Sequence, residues 1–538
     1  MSERIVDVLI VGAGASGAAL AWSLAGSKLD VLCLEQGGWM KQEEYPSNEV
    51  AWELRRLTDF GLSPNDRKRP ADYPVNDASS PIAVSNFNAV GGSTILFAGH
   101  FPRLHPSDFR ARTLDGVGAD WPLDYRTLAP FYDLNERMTG VSGLVGDPAY
   151  PSDPAKVPPL PPLPMGKLGE TMARGFNRLG WHWWPSDSAI ISEPWEGRAP
   201  CINAGTCLAG CAQGAKSSTD VTYWPVALRG GGVRLETGCR VREITVGADG
   251  LADGVIYWDA EGVERRQRAH VVVLACNGVG TPRLLLNSRS SLFPDGLANR
   301  SGLVGRNLMF HPYAMVTGLF DEPLEGYRGA TGCCIMSQEF YETDAARGFL
   351  RGYSFEILRG LGPVFTALMA FGWGRLPWGP DHHGAYAEVF DRTAALVVIG
   401  EDLPEEVNTV TLDPELKDAH GVPAPKITYR LGENSERLMA HGAARAKEVL
   451  DAAGARETFC EPILRVAGWH LMGTARMGTD PETSVVNEWG RCHDVKNLFV
   501  IDGSIFPTAG AVNPTNTIQA LALRIGDAMR RDLPALLD

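Results

Sequence analysis

At 538 residues the chain is longer than one compact core accommodates, so two or more domains are expected. Its 44% apolar and 21% charged residues are those of an ordinary globular protein, and its net charge of −14 is spread without an acidic tail. No basic stripe of the kind a phosphate backbone requires is present, so nucleic acid is not an expected partner.

The chain opens with an almost uncharged stretch, Val6 to Gly26, interrupted by Asp7 and by Gly12, Gly14 and Gly17. A glycine turn between an apolar strand and an apolar helix accounts for it better than a signal peptide or a membrane span. The predicted elements are a strand over Val6 to Val11, a helix over Ala15 to Leu24 and a strand over Val31 to Glu35, which together make a βαβ unit. With no twin-arginine or secretory signal visible, the expected location is cytoplasmic; export alongside a partner subunit stays open.

Residues 40 to 80 are polar and read as a surface excursion. Val90 to Gly99 reads as a loop lying against something flat, and Pro151 to Pro164, with seven prolines, as an extended connector. The strand-rich stretch Val233 to Ala275 ends in the apolar run His270 to Cys276, as in a sheet covered on both faces. The turn Asn277 to Gly280 and a helix from Pro282 to Leu286 follow it. Residues 311 to 461 read as a separate domain over an antiparallel sheet, with a strand at Thr409 to Asp413 and a helix from Ser435 to Ala453. The last segment brings a strand from Asn497 to Ile501 and a terminal helix from Pro514 to Arg530.

Gly12-x-Gly14-x-x-Gly17 between strand and helix is a dinucleotide fingerprint. The first glycine makes the turn, the second admits the pyrophosphate, the third permits helix packing, and Glu35 is placed for the adenosine ribose. The fingerprint alone fits NAD nearly as well as FAD. No pair of histidines with an acid falls at metal-ligand spacing, and a Gly-x-Ser-x-Gly elbow is absent, so neither a zinc site nor hydrolase chemistry is expected.

Several distant segments together resemble the glucose-methanol-choline (GMC) oxidoreductase family. They are the fingerprint, Val90 to Thr94, Gly305 to Met309 with His311-Pro312, His470 to Gly478, Asn497 to Gly503 and Asn513 to Thr517. Within that family the chain is nearest the flavin subunits of bacterial glucose, gluconate and fructose dehydrogenases and the pyranose oxidases. The resemblance implies an α/β fold: a discontinuous Rossmann-type FAD-binding domain with a substrate domain built on an antiparallel sheet. The FAD-binding parts would be 1–150, 201–310 and 462–538, with a connector and substrate-side segment at 151–200 and the substrate domain at 311–461.

FAD would be held, non-covalently, by Gly12, Gly14, Ala15, Ser16, Gly17 and Glu35, and by Gly91, Gly92, Ser93 and Thr94 along the flavin and diphosphate. Val241 and Ala275 would meet the adenosine, Asp502 and Gly503 the ribityl or diphosphate, and Pro514 and Thr515 would bring a helix N-terminus to the flavin. Phe97 stands where many members have Asn, and His100 lies near the place where some relatives attach flavin covalently.

Oxidising an alcohol requires a base for the hydroxyl proton while a hydride leaves the same carbon, a task that suits histidine. The resemblance points to His470 as that base and to Asn513 as the group that orients the oxygen, although Asn513-Pro514 is also a favourable helix start. The substrate expected is a sugar, polyol or aryl-type alcohol, and the acceptor oxygen or a quinone-type molecule. A small partner subunit or a homo-oligomer fits the same reading. The alternatives are an FAD-containing lyase using the same base, or a subunit of an electron-transfer complex. Trp373, Trp378 and Phe371, with Trp181, Trp183 and Trp184, are expected to give an aromatic substrate pocket. Cys201, Cys207 and Cys211 resemble the segment that carries a three-iron cluster in one relative. With Ile202 in place of a further cysteine and no C-x-x-C-H haem motif, the expectation is that they hold no metal. The adjacent Cys333 and Cys334 are not expected to bridge.

Overall fold

The computed structural model describes residues 4–46, 49–67, 69–152, 154–332, 334–359 and 362–537; Cys333 lies outside them. Val6–Val11 is an apolar, β-branched run whose pairing is parallel on both sides, with Val31–Glu35 and with the end of Glu264–Leu274. Val233–Thr237 adds beyond Val31–Glu35, and Leu498–Val500 adds beyond Glu264–Leu274, both also parallel. An antiparallel extension, Ala252–Trp258 then Arg240–Val246, completes a seven-stranded sheet. One face is covered by helices Ala15–Leu24, Tyr223–Gly230 and Thr515–Leu537. The first and last of these cross closely because Gly526 carries no Cβ, which would fall 2.5 Å from the Ser23 Cβ. Gly12, the end of Val31–Glu35, Ala275 and Asp502 therefore meet at the carboxyl ends of four neighbouring parallel strands, where such sheets bind ligands.

A second, six-stranded sheet is antiparallel throughout, in the order Glu457–Glu461, Tyr313–Leu319, Thr393–Gly400, Tyr353–Leu358, Ile335–Ser337, Trp184–Pro185. Alternation sorts its side chains. Ala314, Val316, Phe355, Ile357, Leu396 and Val398 pack against helices Gly166–Leu179 and Glu433–Ala453. Tyr313, Met315, Glu356, Leu358 and Val397 point the other way and roof a cavity over the first sheet.

Four readings of the sequence change. The strand Thr409–Lys417 does not join the six-stranded sheet. It pairs with Pro423–Thr428 and Asn76–Ser79 in a small third sheet, because Val410 and Ile427 bury against Val279, Leu308 and Phe310 beside helix Asn277–Asn287. That helix begins five residues before Pro282, which sits in its interior. Residues 40–80 are not only surface: Tyr45 and Phe60 are core, and the buried Glu53 carboxylate accepts from the N–H groups of Val364 and Phe365 at the start of helix Pro363–Gly372. The terminal helix starts at Thr515 rather than Pro514, with the Pro514 carbonyl accepting from the Ile518 N–H, and continues past a kink at Asp532 to Leu537.

Candidate active site

One cavity of about 480 Å³ runs along the junction of the two sheets. At one end lie Glu35, Val241, Ala275 and Arg283; its middle passes Gly12, Gly14, Ala15, Ser16, Gly92, Ser93, Thr94, Asp502 and Gly503; its far end holds His470, Asn513, Pro514, Thr515, His100, Tyr313 and Glu356. Gly17 and Gly91, also read as cofactor residues, do not line it and act on the backbone instead. A Cβ on Gly17 would fall 2.0 Å from the Gly12 carbonyl oxygen, and Gly91 makes its turn at φ +100°.

The middle of the cavity is cut to the width of bare backbone. A Cβ on Gly12 would meet the Ala275 carbonyl at 2.6 Å, and one on Gly92 would meet the Gly14 Cα at 2.8 Å. Glu35 accepts one backbone N–H on each carboxylate oxygen, from Ala13 and Gly37, both at 2.8 Å, and burial pushes its pKa up to about 7. Each oxygen keeps a lone pair for a ribose hydroxyl. Asp502 lines the cavity with its carboxylate already bonded: its oxygens accept from the Asn277 N–H, the Thr281 hydroxyl and the N–H and hydroxyl of Ser504. The carboxylate ties the strand end to helix Asn277–Asn287 and is already committed, so any approach to a cofactor is made beside it. A glycine-lined passage, helix N-termini at Ala15 and Thr515 and a ribose-facing acid fit a dinucleotide.

At the far end the backbone itself builds the histidine pair. Met309 and Met472 exchange both backbone hydrogen bonds, at 3.0 and 3.1 Å, as an antiparallel pair. Two residues on along one segment and two back along the other, the same register sets His311 opposite His470. Their Nδ1 atoms lie 2.8 Å apart, and His311 Nε2 donates to the Gly510 carbonyl at 2.8 Å. A carbonyl only accepts, so neutral His311 carries its proton on Nε2 and accepts at Nδ1. His470 must then donate from Nδ1, which leaves its Nε2 unprotonated on a ring that lines the cavity. Burial, then the neighbouring His311 and His100, holds the His470 pKa well below 6.5; burial alone lowers that of His311 to about 4.

Asn513 does not behave as a helix cap. Its side chain lies against the buried Glu356 and Tyr313, while its Oδ1 has no hydrogen-bond partner among the described residues. Glu356 and His311 are the residues here that the sequence reading did not assign a role. Glu356 was signalled by a lone acid inside the apolar strand Tyr353–Leu358, and His311 by its motif.

The expected aromatic clusters do not line the cavity. Trp378 is 84% exposed and Phe371 53%, and Trp373 stacks on Phe459 at 4.3 Å between ring centres. Trp181 packs on Phe340, and Trp183 and Trp184 bond to Asn177 and the Leu144 carbonyl. From helix Pro363–Gly372, Phe365 and Met369, four residues apart on its inner side, reach the cavity, where Phe97, Tyr313 and Trp469 also stand. Among the described residues no group of three or more His, Cys, Asp or Glu is disposed to hold a metal ion. Cys207 is buried beside Leu163 and Ile190, and Cys211 packs at the cluster of Leu160, Ile191 and Ala215, with Cys201 against both. No helix among the described residues is long and apolar enough to cross a membrane.

Parallel sheet, dinucleotide passage and a histidine facing its end define a flavin-type oxidoreductase architecture. Comparison with known proteins agrees. GMC oxidoreductase models match residues 162–313 and 404–522, and an NAD(P)-binding Rossmann-like model matches 10–67. A 2-methyl-1,2-propanediol dehydrogenase of Mycolicibacterium austroafricanum is 44% identical over 99% of this chain and 96% of its own. The fructose dehydrogenase large subunit of Gluconobacter japonicus is 30% identical over 98% of each chain. Among solved structures, pyridoxine 4-oxidase from Mesorbium loti superposes with a TM-score of 0.68 at 18% identity, covering 98% of this chain and 99% of that one. The chain belongs to the GMC oxidoreductase family, and is an FAD-dependent enzyme that oxidises CH–OH groups of alcohols or sugars.

Proposed function

We propose that this enzyme oxidises a hydroxyl-bearing carbon of an aliphatic polyol or sugar, with His470 as the base and Asn513 orienting the oxygen. The observation that carries the reading is the fixed tautomer of the histidine pair. Its bond to His311 points a lone pair of His470 into the cavity, and burial keeps the ring neutral until a proton arrives from substrate. Asn513 lines the same cavity, and its amide N–H2 would donate to the oxygen whose proton His470 accepts. FAD, held along Gly12 to Ser16, Gly92 to Thr94 and Glu35, supplies the hydride acceptor. Thr515 begins a helix whose positive end favours negative charge at the reaction end of the cavity. Oxygen or a quinone-type molecule would then take the electrons. The domain limits given by the sequence are retained in this reading, with Thr409–Thr428 serving the cofactor side. The fructose dehydrogenase relative is named as a large subunit, which supports a partner subunit as the route for electrons. Anaerobic addition of polyols and sugars tests the proposal. Bleaching of the oxidised flavin band is expected, and a band unchanged by every alcohol would favour a lyase.

A further inference from the structure

The reaction end of the cavity contains an acid for which base-assisted alcohol oxidation has no use. Glu356 is buried in strand Tyr353–Leu358, on the cavity face, between Met336 and Val397 on the neighbouring strands. Both neighbours are apolar, and among the described residues no lysine or arginine is bonded to it. His100 Nε2 stands 3.5 Å from Glu356 Oε1, too long for a firm bond. Glu356 Oε1, both ring nitrogens of His100 and Asn513 Oδ1 are all buried with no hydrogen-bond partner among the described residues. Buried polar groups are almost always paired, so four unmet atoms on one stretch of cavity wall mark the place of a polar ligand group.

The chemistry of that group follows from the acid. An unpaired carboxyl in an apolar wall holds its proton, and burial pushes Glu356 up to about 8. In that form it both donates and accepts, as a hydroxyl partner must, and offers no charge to a cation. Asn513 connects the two polar sites: its side chain lies against Glu356, and it faces the same cavity as His470. Two oxygens bound one amide apart suit hydroxyls on neighbouring carbons.

We infer that Glu356, with His100, receives a second hydroxyl adjacent to the one oxidised, making the enzyme selective for vicinal diols and sugars over mono-alcohols. The inference rests on the proposal that His470 and Asn513 hold the reacting hydroxyl. The test uses the FAD-loaded enzyme and anaerobic flavin reduction by two matched pairs, 1,2-propanediol with 1-propanol and D-glucose with 2-deoxy-D-glucose. In at least one pair the diol should exceed its deoxy partner in kcat/KM by about 100-fold or more, the behaviour of a site built to bond a hydroxyl. Glu356→Leu should cut that ratio at least tenfold, and Glu356→Gln, which still donates and accepts, should keep most of it. Equal rates within both pairs, no reduction by any of the four, or an undiminished ratio in Glu356→Leu overturns the inference. If Glu356→Leu loses its flavin, the wild-type ratio and the Glu356→Gln ratio decide. A tenfold preference for 1-amino-2-propanol over 1,2-propanediol also overturns it, because Glu356 would then be a cation site. Failure of the wider alcohol screen, by contrast, would remove the proposed function itself.

Discussion

His311 and His470 face each other across an antiparallel register set by Met309 and Met472, with their Nδ1 atoms 2.8 Å apart. His311 is anchored in turn by the Gly510 carbonyl, three residues before Asn513. His311 thereby acts as a positioning residue for the proposed base: it selects the His470 tautomer without reaching the substrate. His311→Ala should lower kcat about 10- to 100-fold, the range seen when an orienting partner is lost, with KM little changed and FAD retained. A change confined to KM, or loss of flavin, would show that His311 serves binding or folding instead.

The same arrangement sets a pH window. His470 faces His311 and His100, with Tyr313 and Glu356 on the sheet above and Asn513 beside them. Burial disfavours its charged form, so the acid limb of kcat/KM should lie below the ordinary histidine value of about 6.5. Glu356 loses its proton near 8, so kcat/KM for a diol should also fall as pH rises through that value. Flavin reduction measured from acid to alkaline pH checks both limbs; an acid limb above 6.5 would contradict the buried, neutral base.

Backbone clearance in the cofactor passage gives a binding prediction. Gly92 has φ +53° and its Cβ would press on the Gly14 Cα, while Gly12 has φ +102° and faces the Ala275 carbonyl. Gly92→Val and Gly12→Val should each yield protein that is folded by circular dichroism yet depleted of FAD. A flavin-to-protein absorbance ratio equal to wild type would count against the passage as the cofactor site.

A buried ion network ties the substrate sheet to the FAD side. Arg351 pairs with Asp108 at 2.5 Å, Asp115 at 2.9 Å and Glu401 at 3.0 Å, and both Arg351 and Asp108 are buried. Removing the one cation leaves carboxylates facing each other in a dry site, so Arg351→Met should destabilise the protein by about 3–5 kcal/mol. Equilibrium denaturation showing a loss under about 1 kcal/mol would mean the network is dispensable.

The parts legible in the sequence were those specified locally. Val6–Val11, Ala15–Leu24 and Val31–Glu35 fall where the apolar runs and glycines put them, because each is bounded by residues with a strong backbone preference. What was not legible depends on pairing between distant segments. Thr409–Lys417 carries ordinary strand alternation, and nothing local says which sheet it joins. The six aromatic residues offered for the pocket have the right chemistry, but the rotation of each helix and strand decides which face is inward, and it turned Phe365 and Met369 in and Trp378 out. Glu356 stands out in the sequence as a lone acid in an apolar strand, but its place at the site follows only once that strand is seen to lie over the cavity.

The central claim is that His470 takes the substrate proton, and anaerobic stopped-flow reduction of His470→Ala measures it most directly. With FAD still bound, the reduction rate constant for the best alcohol should fall at least about 100-fold, as expected when a general base is lost. Reduction within about threefold of wild type would contradict the account.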